Sequence, residues 1–429
     1  MKRIYLDHSA TTPVDPKVIV AMLSYFSDKF GNASSVHFFG QEARVAIDNA
    51  REKIANFLGC KTTEIIFTSG GSEANNLAVR GFIEALTPYE ITNLAKLRNY
   101  ESFKPHIITS AFEHHAVLEV VKELENEGKI EATYISPNKE GLISVDDVEK
   151  AIRSNTVLVS IMYVNNEIGT VQPIRLIGQM IEKVNGKRLI ENRNLYGKMK
   201  VESGKNSNSQ FPISKQISNF QQPISRVYFH TDAVQAAEYF KMNVDFLHVD
   251  LLTMSAHKIY GPKGIGLLYV RKGTPITHQI VGGGQEYKMR AGTENVAGIV
   301  GFGKAVDIIQ KSEIRNPKFE TNSKSQIQKL QTKLIDGILK NIPNSFLNGS
   351  REFRSPSNVN ISFINAEGES ILLNLDMEGI AASTGSACTS GSLSPSHVLL
   401  SMGLKPEQCH GSIRFTLGKN TTETEIDRV

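Results

Sequence analysis

The chain has 429 residues, enough for two or three domains, and 40% of them are hydrophobic against 21% charged, which excludes disordered and collagen-like classes. Lys plus Arg outnumber Asp plus Glu by 48 to 44, a formal charge of +4 that hints weakly at an anionic partner. Three scattered cysteines (Cys60, Cys388, Cys409) without a CxxC pair exclude a disulfide framework and a structural zinc site, and fit a reduced, cytoplasmic setting. Near the N-terminus, Asp7 and His8 interrupt any signal-peptide core, and no apolar run reaches the ~18–20 residues of a membrane span.

In chain order, short apolar runs predict strands at Glu64–Thr68, His106–Ser110, Val157–Val164, Val227–Thr231, Val249–Met254 and Ile265–Val270. They are rich in Ile, Val and Leu without alternation, as in strands buried on both faces. Helical periodicity falls between them over Ser72–Leu86, Ala116–Glu127 and Val145–Arg153. Strand–helix alternation implies a mostly parallel sheet wrapped by helices. After about residue 300 a long helical stretch leads to shorter strands such as Asn358–Phe363, which suggests a smaller α/β domain. Gly186–Arg226 breaks the pattern: 15 of its 41 residues are Asn, Ser or Gln, without convincing periodicity, so a flexible surface insertion is expected. It holds eight Lys and Arg against two Glu, a net +6, which leaves −2 for the remaining chain. The basic charge therefore belongs to one segment and does not argue for nucleic-acid binding; no base-stacking or groove-reading motif is present.

Five segments hold chemistry. In Met254-Ser255-Ala256-His257-Lys258 an apolar run delivers a lysine into a glycine-rich turn, where partial burial favours the neutral amine that forms a Schiff base. In Val227–Gln235 a strand ends in Asp232, 26 residues before Lys258. That pairing suits pyridoxal phosphate (PLP): the acid keeps the pyridine nitrogen protonated and the lysine binds the aldehyde. Alone, Asp232 reads equally as a helix N-cap. In Ile65–Asn76 a strand passes through Gly70-Gly71-Ser72 into a helix, which presents N–H groups to a single phosphate and is neither a GxGxxG nor a P-loop. Glu113-His114-His115 follows another strand, and His114 is placed to stack on a flat ring and move protons, although a polar loop histidine is the commoner case. Finally, Ser383–Ser392 is made of small residues and includes Cys388, a candidate nucleophile on a mobile loop, whereas Cys60 and Cys409 fit plain packing or surface roles.

Together these residues resemble the cysteine desulfurases of the NifS/IscS type, within the class-V aminotransferase family of fold-type I PLP enzymes. Tyr5-Leu6-Asp7, Ala10-Thr11-Thr12-Pro13, Phe30-Gly31-Asn32, Asn165–Gly169, Gly282–Gln285, Arg290–Thr293 and Ser412–Phe415 match in order, interrupted mainly by the insertion and a smaller one near 88–103. The resemblance implies an α/β fold with a seven-stranded, mostly parallel sheet in a large domain (15–300, with the insertion at 186–226). A small domain (1–14 and 301–429) would bear the cysteine loop. It implies that Lys258 holds PLP and shuttles protons, that Asp232 pairs with the ring nitrogen, and that Gln235 and Asn166 contact the ring hydroxyl side or the substrate. His114 would stack on the ring. Gly71, Ser72, Ser255 and His257 would bind the phosphate, with Thr293 reaching in from the second subunit of a homodimer. Arg414 would clamp the substrate carboxylate. Cys388 would take sulfur from L-cysteine as a persulfide and pass it to an acceptor protein for iron–sulfur cluster assembly or tRNA thiolation. No dedicated metal site is expected, although Cys388 could ligate a transient iron–sulfur cluster. Two departures stand out. Gly71-Ser72 replaces a common Ala-Thr, and the chain stops at Val429, near the start of a closing helix, so a weaker small domain and altered scaffold docking are expected. Selenocysteine lyase or aminotransferase chemistry on the same fold, and a PLP-fold scaffold, are the alternatives.

Overall fold

The apolar runs pair into one seven-stranded sheet. In the computed structural model, which describes residues 3–86, 104–203, 226–314, 324–385 and 394–429, its strands are β2 (Ile65–Thr68), β3 (His106–Ser110), β4 (Glu131–Ile135), β5 (Thr156–Ser160), β6 (Tyr228–Asp232), β7 (Leu251–Ser255) and β8 (Gly266–Val270). They lie in the order β2-β8-β7-β6-β5-β3-β4, after a short β1 (Ile4–Tyr5) that belongs elsewhere. Only β8 runs against its neighbours, pairing antiparallel with both β2 and β7. The others are parallel, so β3, β5, β6 and β7 end on the same edge, where ligands of such sheets bind.

Successive strand residues enter opposite cores, which is why the runs show no polar alternation. Ile65, Phe67, Ile108, Leu267 and Tyr269 face one cluster, with Ile47 and Ile54 of α2 (Phe38–Leu58). Ile66, Ile107 and Leu268 face the other, with Leu77 and Phe82, which follow α3 (Gly71–Asn76), and Val117 and Val121 of α4 (His115–Asn126). The α3 helical run continues through a π turn at Leu77–Gly81 into Phe82–Ala85, so one predicted helix is observed as a continuous run with a local bulge. Strand β4 was not foreseen, since Glu131 is exposed and Ala132, Thr133 and Tyr134 are half-buried.

A third core joins α8 (Lys324–Asn341) to an antiparallel sheet of β9 (Ser345–Leu347), β10 (Asn358–Phe363) and β12 (Ser412–Thr416). Ile4 and Leu6 enter this core, and β1 pairs in parallel with β11 (Ile380–Ala381). The helix across residue 300, α7 (Val296–Ile314), places Ile299, Phe302 and Val306 in the first core of the large sheet. The last helix, Glu423–Arg428, begins with a capping box between Thr422 and Glu425, buries Ile426 in the third core and pairs Glu423 with Lys333 at 2.7 Å.

The expected insertion is corrected at both ends. Residues 186–203 continue the helix α6 (Ile174–Ser203), in keeping with the helix propensity of the segment's Lys, Arg, Glu, Leu and Met residues. Arg188 is buried and donates to the carbonyls of Thr156, at 3.0 Å, and Arg153. Arg226 pairs with Asp250 at 2.7 Å. Arg188 and Arg226 are thus bonded to the folded body; residues 204–225 lie outside the described structure. No helix among the described residues is long and apolar enough to cross a membrane.

Candidate active site

Asp232, Ser255 and His114 sit where strands end on the common edge. Asp232 is the last residue of β6 and is buried. Its Oδ2 accepts from Asn75 Nδ2 at 2.7 Å and its Oδ1 from the Val234 backbone N–H at 3.0 Å, so the carboxylate is fixed from two elements. Ser255 ends β7 and is followed by a 3₁₀ turn, Ala256–Lys258. Lys258 Nζ donates to the carbonyl of Ser9 and, at 2.8 Å, to that of Ala10. Gln235 Nε2 reaches the same Ser9 carbonyl at 3.0 Å. The N-terminal segment is therefore part of the lysine's environment.

His114 caps α4: its Nδ1 accepts from the Ala116 N–H at 3.1 Å. In the neutral ring the proton then resides on Nε2. Burial pushes its pKa down, nearby Asp232 opposes this, and Lys258 adds to it. His114, Asp232 and Lys258 thus follow or end β3, β6 and β7 on the same edge of the sheet. Glu113 is fully buried, with Oε1 accepting from Ser110 Oγ at 2.5 Å and from the Met162 N–H at 2.9 Å. Burial raises its pKa to about 8, so it is a neutral acid near pH 7.

The glycine turn lies against the same edge. A Cβ on Gly71 would meet Val234 at 3.0 Å and Ser255 Cβ at 3.7 Å, so the absence of a side chain lets the helix start approach the ends of β6 and β7. Ser72 is exposed at this start. His257 Nδ1 lies 3.2 Å from Thr11 Oγ1, and burial together with Lys258 lowers its pKa to about 4, so it is neutral. Thr293 is exposed in a turn after Gly292, whose φ of +109° glycine alone adopts readily.

Arg414 arrives from β12. Its guanidinium donates to the carbonyl of Asn166 at 2.9 Å, to Asp7 Oδ1 at 3.0 Å and to Ser383 Oγ at 2.8 Å. Its Nε and the Oδ1 of Asn166 are buried without hydrogen-bond partners among the described residues. The residues fit PLP. A fixed acid, a lysine at a strand end and a close-packed glycine turn surround one edge, and Asn166 offers an unsatisfied amide of the kind a polar ring engages. Cys388 lies outside the described residues. Sequence reasoning missed Asn75, Glu113, Glu167 and the Ser9 and Ala10 carbonyls; Asn75 could have been found one helical turn after Gly71, on the face turned to the sheet.

Comparison with known proteins agrees with this geometry. The family model "Aminotransferase class-V" matches residues 4–205 and 203–429. Cysteine desulfurase IscS of Dictyoglomus turgidum is 45% identical over 431 residues, covering 100% of this chain and 93% of its own length. Its counterpart from Methanosarcina thermophila is 43% identical, with 100% and 90% covered. Among solved structures, a NifS-like protein superposes with a TM-score of 0.79 at 32% identity, covering 99% of this chain and 96% of its own. SspA in complex with cysteine gives 0.73 at 33%, covering 98% and 100%. The chain thus belongs to the class-V aminotransferase family, in its NifS/IscS-type cysteine desulfurase branch.

Proposed function

We propose that this chain is a PLP-dependent cysteine desulfurase that converts L-cysteine to L-alanine and receives the sulfur on Cys388. The observation that carries the reading is the placement of His114, Asp232 and Lys258 at or just past the ends of β3, β6 and β7 on one sheet edge, with Asp232 pinned by Asn75. When bound, PLP withdraws electrons from the substrate Cα and so weakens the carbon–sulfur bond. Lys258 supplies the amine that binds the cofactor and moves protons at Cα. Asp232 holds the proton on the ring nitrogen. His114, neutral with its proton on Nε2, would meet the cofactor ring and supply a group able to exchange a proton. Gly71, Ser72, Ser255 and His257 receive the phosphate, and Gln235 and Asn166 hold the ring hydroxyl side or the substrate. Arg414 orients the substrate carboxylate. The Cys388 thiolate attacks the substrate sulfur: an S–S bond forms, the C–S bond breaks with its electron pair left on carbon, and protonation there gives alanine.

A homodimer is supported by the apolar surface of α1 (Pro16–Ser27), the segment after it and the start of α2, where Val20, Phe26, Phe30 and Phe38 are each 66–73% exposed. Thr293, exposed in this chain, would complete the phosphate site of the second copy. The sulfur acceptor is a protein of iron–sulfur cluster assembly or tRNA thiolation, and the setting is cytoplasmic. Mixing the purified, PLP-loaded protein with L-cysteine and a thiol tests the reading: alanine and sulfide form in equal amounts. Alanine without sulfide release or persulfide would overturn it.

A further inference from the structure

A second buried carboxyl, Glu167, stands apart from the groups assigned so far. It follows Asn166 directly and is only 3% exposed. Its Oε2 accepts from Ser396 Oγ at 2.5 Å. Ser396 is itself buried and caps the helix α10 (His397–Ser401), its Oγ accepting from the Leu399 N–H at 3.2 Å. A Cβ added to Gly385 would fall 2.5 Å from the same Oε2 and 3.4 Å from Asn360 Nδ2, so Gly385 rests against the carboxyl. Gly385 and Ser396 flank the segment that contains Cys388, one on each side.

The backbone of Glu167 is held as firmly. Its carbonyl accepts from the Nδ2 atoms of Asn358 and Asn360, both at 3.1 Å, and its N–H donates to Asn165 Oδ1 at 2.9 Å. Those two asparagines lie on β10, which pairs with β12, and Asn360 stands opposite Arg414. The peptide carbonyl one residue earlier, on Asn166, accepts from Arg414. One short stretch, Asn165–Glu167, therefore links the arginine assigned to the substrate carboxylate with both flanks of the cysteine segment.

We infer that Glu167 is a positioning residue of the desulfurase reaction: its carboxyl ties Ser396 and Gly385, the described flanks of the segment that contains Cys388, to the Asn166–Arg414 substrate side. The inference rests on the proposed function. A buried side chain held by one short bond and one close glycine contact has little freedom, so Glu167 adds a tie between the two flanks beside the Arg414–Ser383 bond near Gly385 and the His397–Glu113 bond near Ser396. The neutral and the ionised carboxyl both accept from Ser396, and so does an amide oxygen.

The test uses PLP-loaded wild type, Glu167→Ala, Glu167→Gln and Ser396→Ala. Substrate binding is read from the change in the visible cofactor band with L-cysteine concentration, and sulfur transfer from the single-turnover rate of persulfide formation on Cys388 by mass spectrometry. Both alanine variants are expected to bind L-cysteine within about twofold of wild type, yet form persulfide about tenfold or more slowly. Glu167→Gln, which keeps the acceptor, stays within about threefold. Wild-type transfer rates in both alanine variants, binding losses that account for the whole defect, or a Gln variant as slow as Ala would each overturn the role. Ser396→Ala probes the bond from its other end should Glu167→Ala fail to fold. A wild-type enzyme that forms no persulfide overturns the desulfurase reading itself, whereas normal wild-type transfer with unaffected variants removes Glu167 alone.

Discussion

Asn75 donates to Asp232 across 2.7 Å, from the helix behind the glycine turn to the end of β6. The acid assigned to the cofactor nitrogen is thus oriented by the same element that begins at the glycine turn assigned to the phosphate. Asn75 is 1% exposed, so the bond is not shared with bulk solvent. Replacing Asn75 by Ala should weaken PLP binding by about tenfold while leaving the fold intact, in line with the loss of one buried charge-assisted bond. Asp232→Asn should lose more activity than affinity, because the neutral amide cannot hold the ring proton. Titration of the apoprotein with PLP, followed by its absorbance, checks both.

Lys258→Ala should remove the covalent attachment of the cofactor. The visible band of the loaded protein would shift to that of free PLP, and gel filtration would strip the colour. Turnover of L-cysteine should fall by about a thousandfold or more, since both the attachment and the proton transfer at Cα are lost.

Arg414 shares its guanidinium among Asn166, Ser383 and Asp7. Arg414→Lys keeps the charge but not the fork, and should raise the KM for L-cysteine about tenfold or more. Asp7→Asn leaves the arginine in place with a weaker orienting partner, so a smaller rise, about threefold, is expected. Steady-state kinetics of the two variants separates the roles.

Glu113 and His230 should impose opposite pH dependences on stability. Burial raises Glu113 from 4.5 to about 8, so the folded chain keeps a proton that the unfolded chain has released. Its stabilising contribution is complete below pH 4.5 and is lost as pH rises through about 8. His230, between Ser160 at 2.8 Å and Thr253 at 3.1 Å, is pushed by burial from 6.5 down to about 3. Its contribution is complete above pH 6.5 and is lost as pH falls toward 3. Melting temperatures across pH 4–9 should decline at both ends, and Glu113→Gln should flatten the alkaline side only.

The strands and the glycine turn were legible because a parallel sheet covered on both faces writes itself as uninterrupted Ile, Val and Leu. Asp232 and Ser255 could be placed at strand ends for the same reason. Polar composition misled where helix and coil share residues. Gly186–Ser203 looks like a loop, yet Arg188 reaches back to cap the carbonyls of Arg153 and Thr156. The long-range partners were illegible in principle: the Ser9 carbonyl meets Lys258 across 249 positions, and nothing local in either segment marks it. Glu113 and Glu167 were hidden similarly, since a buried carboxyl has no one-dimensional signature.

Arg188→Ala gives that lesson a measurable form. It would leave two carbonyls at the end of the preceding turn without their buried donor and should cost about 1–3 kcal/mol of stability. An exposed flexible insertion predicts almost no change. Urea denaturation of the variant decides between them.

The central claim is that sulfur leaves L-cysteine for Cys388. Its most direct measurement is mass spectrometry of the Cys388 peptide after a single turnover of PLP-loaded protein with L-cysteine. One added sulfur on that peptide is expected, with stoichiometric alanine, and neither in Cys388→Ser. Alanine formed at the wild-type rate by Cys388→Ser, or sulfur found on Cys60 or Cys409 instead, would contradict it.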